Sequence, residues 1–322
     1  MKHLLLIISL FIGTYWAQAE TLRVVSYNVE NLFLPEKDSI TDDGEWTPDR
    51  ERRWSYTRYY RKVENIARVL TNIGEWSGVD IVGLQEIENA KCVERLCNTL
   101  RKGEYGFVHY DSPDRRGIDV ALIYKKSRID TISSKAISIQ LSELRTRDIL
   151  YVCARIDRRD TLHFFVCHLP SQRGGTAESE WKRTAAKTVL QQAVDSIMAI
   201  TPTARIIVMG DMNNAPKNDI RGLSNRMLPL ANKGIGTHKY QGRWTCLDQF
   251  YTSAALDNQT SVSIYDAEWI QETDEKYLGL KPKRTYNGFS YQNGYSDHLP
   301  VVLDITLEDN PSSAAQIAQD VP

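Results

Sequence analysis

Residues 205–216 read RIIVMGDMNNAP, an apolar run that stops abruptly at an acid and two amides. Ile206, Ile207, Val208 and Met209 form a segment too short for a helix and rich in β-branched residues, the pattern of a buried strand. Such a strand ends in turn chemistry, yet Asp211, Asn213 and Asn214 supply more donors and acceptors than a turn requires. The same thing recurs along the chain. Asn28 closes RVVSYN, Glu86 closes IVGLQE, His168 closes FFVCH, and Asp297 and His298 lead into LPVVLDI. Any one of these is an ordinary cap or turn residue. Strands packed side by side bring their ends together, so the set is expected to converge on one rim.

The segments between these ends give the architecture. TLRVVSYNV (21–29), VDIVGLQEI (79–87), GIDVALIYK (117–125), RWTCLDQFYTS (243–253) and HLPVVLDITL (298–307) read as strands. Residues 149–168 read as a hairpin, ILYVCARI and LHFFVCHL across a polar DRRDT turn. Helical spacing of Tyr59, Val63, Ile66, Ala67 and Leu70 predicts a helix over Trp54–Asn72. Others are expected around Cys92–Arg101 and Glu178–Ala199. Strands and helices alternate with hairpins interleaved, which excludes a purely parallel doubly wound sheet. Two packed sheets with helices outside account for the pattern, and a single mixed sheet is the alternative.

Composition sets outer bounds. The chain has 322 residues, 25% charged, with a formal net charge of −1, which argues against clamping long nucleic acid by broad positive charge. Lys2 and His3 precede the apolar run LLLIISLFIG, and Ala17-Gln18-Ala19 fits a small-x-small cleavage site. Residues 1–19 are therefore expected to be a signal peptide, 20–309 one catalytic domain, and the small, polar 310–322 a disordered tail. The expected location is secreted or periplasmic, with no stable membrane insertion after cleavage. Five cysteines leave at least one unpaired, and no essential disulfide is expected.

Glu86, Asp211 and Asp297 offer hard oxygen ligands suited to Mg2+, with Mn2+ or Ca2+ as alternatives. Three carboxylates converging without a cation would repel one another and take up protons. With His168 and His298 beside them as proton donors or oxyanion stabilisers, the set suits hydrolysis of a phosphate ester.

The ordered motifs SYNVENLF, VGLQEIEN, RRGIDVALIY, CHLPS, GDMNNAP, LDQFYTS and YSDHLPVV resemble those of the endonuclease/exonuclease/phosphatase superfamily, from about Thr21 to Glu308. The resemblance implies an α/β (α+β) four-layer sandwich, two packed mixed β-sheets flanked by helices. It also implies roles. Glu86 is similar to the principal metal ligand, with Asn28 and Asp297 on the metal side. Asp211 resembles the residue that orients or deprotonates the attacking water, and Asn213 the amide that holds a phosphate oxygen. His298 resembles the histidine facing the phosphate, with Asp248 orienting its ring. His168 resembles a second active-site histidine, with Asp119 as its expected partner, and Arg147 a phosphate-binding arginine. Arg173, in HLPSQRGG, follows His168 closely enough to be a substrate contact. The implied function is a metal-dependent nuclease, an endonuclease on DNA or RNA, acting as a monomer. A phosphodiesterase or phosphatase on lipid headgroups, inositol or other small esters is the alternative, and a non-catalytic binding protein of this fold the third reading.

Overall fold

A computed structural model describes residues 20–37, 44–139, 145–172 and 175–307. The expected signal peptide, the expected tail and Arg173 lie outside the described residues. Sheet one runs β13-β18-β1-β2-β4-β3 and sheet two β5-β6-β7-β8-β12-β9, six strands each. In sheet one these are β1 (Glu20–Leu32), β2 (Ile81–Ile87), β3 (Tyr105–His109), β4 (Asp119–Lys125), β13 (Thr260–Ile264) and β18 (Val301–Leu307). Sheet two holds β5 (Ile129–Ile137), β6 (Ile149–Ile156), β7 (Asp160–His168), β8 (Arg205–Asp211), β9 (Leu223–Asn225) and β12 (Asp248–Ser253). Three short hairpins complete the strands: β10 and β11 (His238–Tyr240, Arg243–Thr245), β14 and β15 (Gln271–Thr273, Leu280–Pro282), and β16 and β17 (Tyr286–Asn287, Ser290–Tyr291). The stretch 243–253 is thus two strands, because the chain turns at Cys246 and Leu247 to leave one sheet and enter another.

Period-two alternation decides which layer each side chain joins. Leu22 and Val24 of β1, Ile207 and Met209 of β8, and Leu303 and Ile305 of β18 fill the core between the sheets. Their neighbours Val25, Tyr27 and Val29 face outward onto α1 (Tyr56–Gly74) and α2 (Ala90–Arg101). Ile206 and Val208 face the opposite way, onto Ala186, Leu190 and Val194 of α3 (Thr176–Ile200). Tyr59, Val63, Ile66, Ala67 and Leu70, the face read from helical spacing, are all buried in the first of these outer cores. The order helix, sheet, sheet, helix is the four-layer sandwich. Burying each such aliphatic side chain stabilises the fold by about 1.5–3 kcal/mol.

Strand direction places the rim. β1 pairs parallel with β2, and β7 parallel with β8, at the centre of each sheet, while the other pairings are antiparallel. The carboxyl ends of β1, β2, β7 and β8 therefore lie on one edge, carrying Asn28, Glu86, His168 and Asp211. The antiparallel strands β12 and β18 begin at that same edge, which adds Asp248 and the segment before Val301. Gly210 shows how closely the two central strands approach. Its φ is 138°, and a Cβ there would lie 1.9 Å from the carbonyl oxygen of Cys167.

Candidate active site

Asp211 is the centre of the rim. Its strand position is opposite both His168 on β7 and Asp248 on β12. Oδ2 accepts from Asn28 Nδ2 at 3.1 Å and lies 3.6 Å from His168 Nε2 and 4.0 Å from His298 Nε2. Oδ1 accepts the Asn213 backbone N–H at 2.8 Å. Burial raises the Asp211 carboxyl to about 6, against the pull of His298 and with help from Asp248 and Glu86. Such a carboxylate is poised to accept a proton near neutrality.

The two histidines flanking Asp211 sit in contrasting environments. His298 Nδ1 is 2.7 Å from Asp248 Oδ2 in a fully buried pair. Burial alone would lower the His298 imidazole, but Asp248, Asp211 and Asp297 hold it well above its usual range. His168 is driven well below its usual range by burial, reinforced by Arg147, Arg116 and His298. Its Nδ1 is buried without a hydrogen-bond partner among the described residues. The surroundings thus favour the charged form of one ring and the neutral form of the other.

Glu86 reaches the same space from β2. It sits at φ 68°, where the pairing with β4 shifts register, so its carboxylate turns inward. Oε2 accepts the Asn31 N–H at 2.9 Å, and Oε1 points into the cleft, 3.9 Å from His168 Nε2. A hard carboxylate oxygen aimed at a cluster of further acids is the donor chemistry of a divalent-cation site. Asn28 contributes differently from a plain ligand, since its Oδ1 accepts the Glu30 N–H at 3.0 Å while its Nδ2 orients Asp211. Asp297 is held by Arg284 Nη2 at 2.9 Å. Burial would raise the Asp297 carboxyl, yet His298, Arg284 and His238 bring it below its usual value.

Two sequence expectations are corrected. Asp119 does not partner His168. It begins β4, beside β3, and its carboxylate accepts the Ser112 N–H at 3.0 Å, bonds the Ser112 hydroxyl, and lies 3.3 Å from His109 Nε2. Arg147 is not a phosphate-binding arginine. Its guanidinium is buried, paired with Asp114 at 2.9 Å, and donates to the carbonyls of His168 (3.2 Å) and Leu169 (2.9 Å). It thereby fixes the backbone at the end of β7. Asn213 also departs from an extended chain: at φ 50° it folds back, and its Nδ2 donates to Leu169 O at 2.9 Å. The second amide proton remains for a ligand.

Several contributors were not singled out from sequence. Glu30, buried two residues beyond Asn28, accepts the Thr285 N–H at 2.6 Å and lies 3.9 Å from the fully buried Lys62 ammonium. Lys62 donates to Thr285 Oγ1 and, at 2.7 Å, to Tyr295 O. Ser296 accepts the His298 N–H at 3.1 Å and donates to Asn28 O at 2.7 Å. Glu30 and Ser296 lie inside the quoted motifs and could have been noticed there. Lys62 and His238 sit in unremarkable local sequence.

Residues 23–307 match the model of a family described as Endonuclease/Exonuclease/phosphatase family. No curated protein matches the chain. Among solved structures, TDP2 from Caenorhabditis elegans is similar with a TM-score of 0.59 and 17% identity, covering 89% of this chain and 74% of that one. The human Nocturnin catalytic domain, solved with bound sulfate, gives 0.55 and 16%, covering 89% and 95%. A mannosyl-6-phosphatase from Bacteroides thetaiotaomicron gives 0.54 and 14%, covering 88% and 98%. At these identities the likeness establishes a shared fold.

Proposed function

The chain belongs to the endonuclease/exonuclease/phosphatase family and is a phosphoric-ester hydrolase, and from that premise we propose that it is a secreted, Mg2+-dependent nuclease. The observation that carries this reading is a buried carboxylate, Asp211, set between two imidazoles whose surroundings favour opposite charge states. Asp211 Oδ2 accepts the proton of a water attacking phosphorus in line, and Asn28 Nδ2 keeps that oxygen aimed. The imidazolium of His298 and the second amide proton of Asn213 meet the non-bridging oxygens, whose charge grows in the transition state. Glu86 would hold the cation, with Asn28 and Asp297 on its flank, and such an ion would supply neutralisation of charge on the phosphoryl oxygens.

Charge balance favours a diester. Arg147 and Arg116 face Asp114, and Arg284 faces Asp297, so this part of the rim would meet phosphate with His298 and the cation that Glu86 would hold. That suits a singly charged phosphodiester better than a doubly charged monoester. Nucleic acid is the abundant extracellular diester, and a signal peptide would place the enzyme there. The mannosyl-6-phosphatase likeness makes a sugar monoester the outcome to test against.

The experiment is hydrolysis of plasmid DNA, RNA, bis-p-nitrophenyl phosphate and mannose 6-phosphate with Mg2+ or EDTA. Nicking of plasmid or cleavage of RNA that EDTA abolishes is expected. Hydrolysis of mannose 6-phosphate with both nucleic acids untouched would overturn the nuclease reading.

A further inference from the structure

His238 belongs to none of the motifs that define the rim, yet β10 delivers it there. An isolated antiparallel bridge sets it directly opposite His298, and the two imidazoles lie with centroids 4.9 Å apart and their planes tilted by 40°. A directly opposed pair points its side chains to the same face. Neither ring nitrogen of His238 makes a hydrogen bond among the described residues. One ligand atom each from His238, Asp297 and His298 lie within 4.8 Å of one another. The backbone fixes the arrangement from both sides: Leu299 N donates to Thr237 O at 2.8 Å, and the Thr237 hydroxyl accepts the Asp248 N–H at 3.2 Å.

We propose that His238, Asp297 and His298 form a second cation site on the rim, one that takes a transition-metal ion of the Zn2+ or Mn2+ type rather than Mg2+, the incoming ion displacing the Nε2 proton of His298 to solvent while Nδ1 stays on Asp248. Two imidazoles and one carboxylate are the ligand set of borderline ions, whereas Mg2+ favours oxygen donors and water. Glu86 and its neighbours supply the hard-oxygen set a few residues away on the same edge. Tetrahedral ligands about 2.0–2.2 Å from a zinc ion stand roughly 3.3–3.6 Å from one another. Rotation of the partly buried His238 ring would bring its nitrogen into that range. Because His298 Nε2 also faces Asp211, an ion bound here occupies the space in which a phosphate oxygen would sit. On the proposed function, the site therefore makes hydrolysis sensitive to transition-metal ions and gives the enzyme an inhibitory metal input that shares Asp297 with its activating one.

The test is isothermal titration calorimetry of the full chain with ZnCl2 and, separately, MgCl2, supported by the visible spectrum of the Co2+ form. His238→Gln is expected to weaken one class of Zn2+ binding by at least about 10-fold and to reduce the Co2+ bands, while its Mg2+ isotherm matches the parent and so reports an intact fold. His109→Gln serves as the comparison, because His109, Asp111 and Asp119 form the other such cluster among the described residues. Zn2+ binding that His238→Gln leaves unchanged, or that His109→Gln abolishes instead, would overturn the proposal. The measurement reads ion binding directly, so its failure leaves the nuclease assay, made with Mg2+, to stand or fall by itself.

Discussion

His168 and His298 flank the same carboxylate at 3.6 and 4.0 Å, yet the protein treats them oppositely. His298 backs onto Asp248, a buried acid that holds its ring in the charged form. His168 backs onto Arg147, which grips the His168 carbonyl and repels a proton on the ring. Burial costs both imidazolium forms alike, so the neighbour on the far side of each ring decides its charge. Two histidines are thus not two copies of one function: in the proposed mechanism one would supply charge to the phosphate, the other a neutral hydrogen-bonding group beside Asp211 and Glu86.

The contrast can be broken from either side. Asp248→Asn removes what keeps His298 charged, and kcat is expected to fall roughly 1,000-fold, measured on bis-p-nitrophenyl phosphate with Mg2+. A fall below 10-fold would show that the imidazolium is not needed. Arg147→Met leaves Asp114 buried without its partner and frees two carbonyls, so chemical denaturation is expected to show a loss of about 3–5 kcal/mol. His168→Gln keeps a neutral donor of similar reach but loses the ring, and about a 100-fold fall is expected. Asp119→Asn has the smallest effect, under about 10-fold on kcat/KM, since its partners are Ser112 and His109. A loss as large as that of His168→Gln would restore the pairing expected from sequence.

The pH dependence sharpens the same contrast. Activity should fall as pH drops through about 6, where Asp211 takes up its proton. It should fall again at alkaline pH, where His298 loses its own. His168 contributes no limb. For stability the signs differ between the rings. The His298 pKa is raised on folding, so its contribution is complete below the unfolded value of about 6.5 and lost as pH rises through the folded value. The His168 pKa is depressed, so the unfolded chain binds that proton more readily and stability falls as pH drops below about 6.5.

Much of this was legible in the sequence because it rests on short-range regularities. Short apolar runs rich in β-branched residues identified β1, β2, β8 and β18, helical spacing identified the buried face of α1, and the polar strand ends named Asn28, Glu86, His168, Asp211 and His298. Partnerships were less legible, since they depend on which strands become neighbours. Asp119 and His168 lie on different sheets, and the register of β3 against β4 gives Asp119 to His109. Left-handed residues such as Glu86 and Asn213 were also hidden, because sequence patterns treat strand ends as extended. His238 reaches the site through an isolated bridge from a distant hairpin, and no local pattern announces such a contact.

The central claim is that the two imidazoles beside Asp211 carry different charges. Long-range 1H–15N correlation spectra of the histidine rings at pH 7, assigned with His168→Gln and His298→Gln, test it most directly. The expected result is an imidazolium pattern for His298 that Asp248→Asn converts to neutral, and a neutral pattern for His168 in both proteins. Two rings of the same charge state in the parent protein would contradict it.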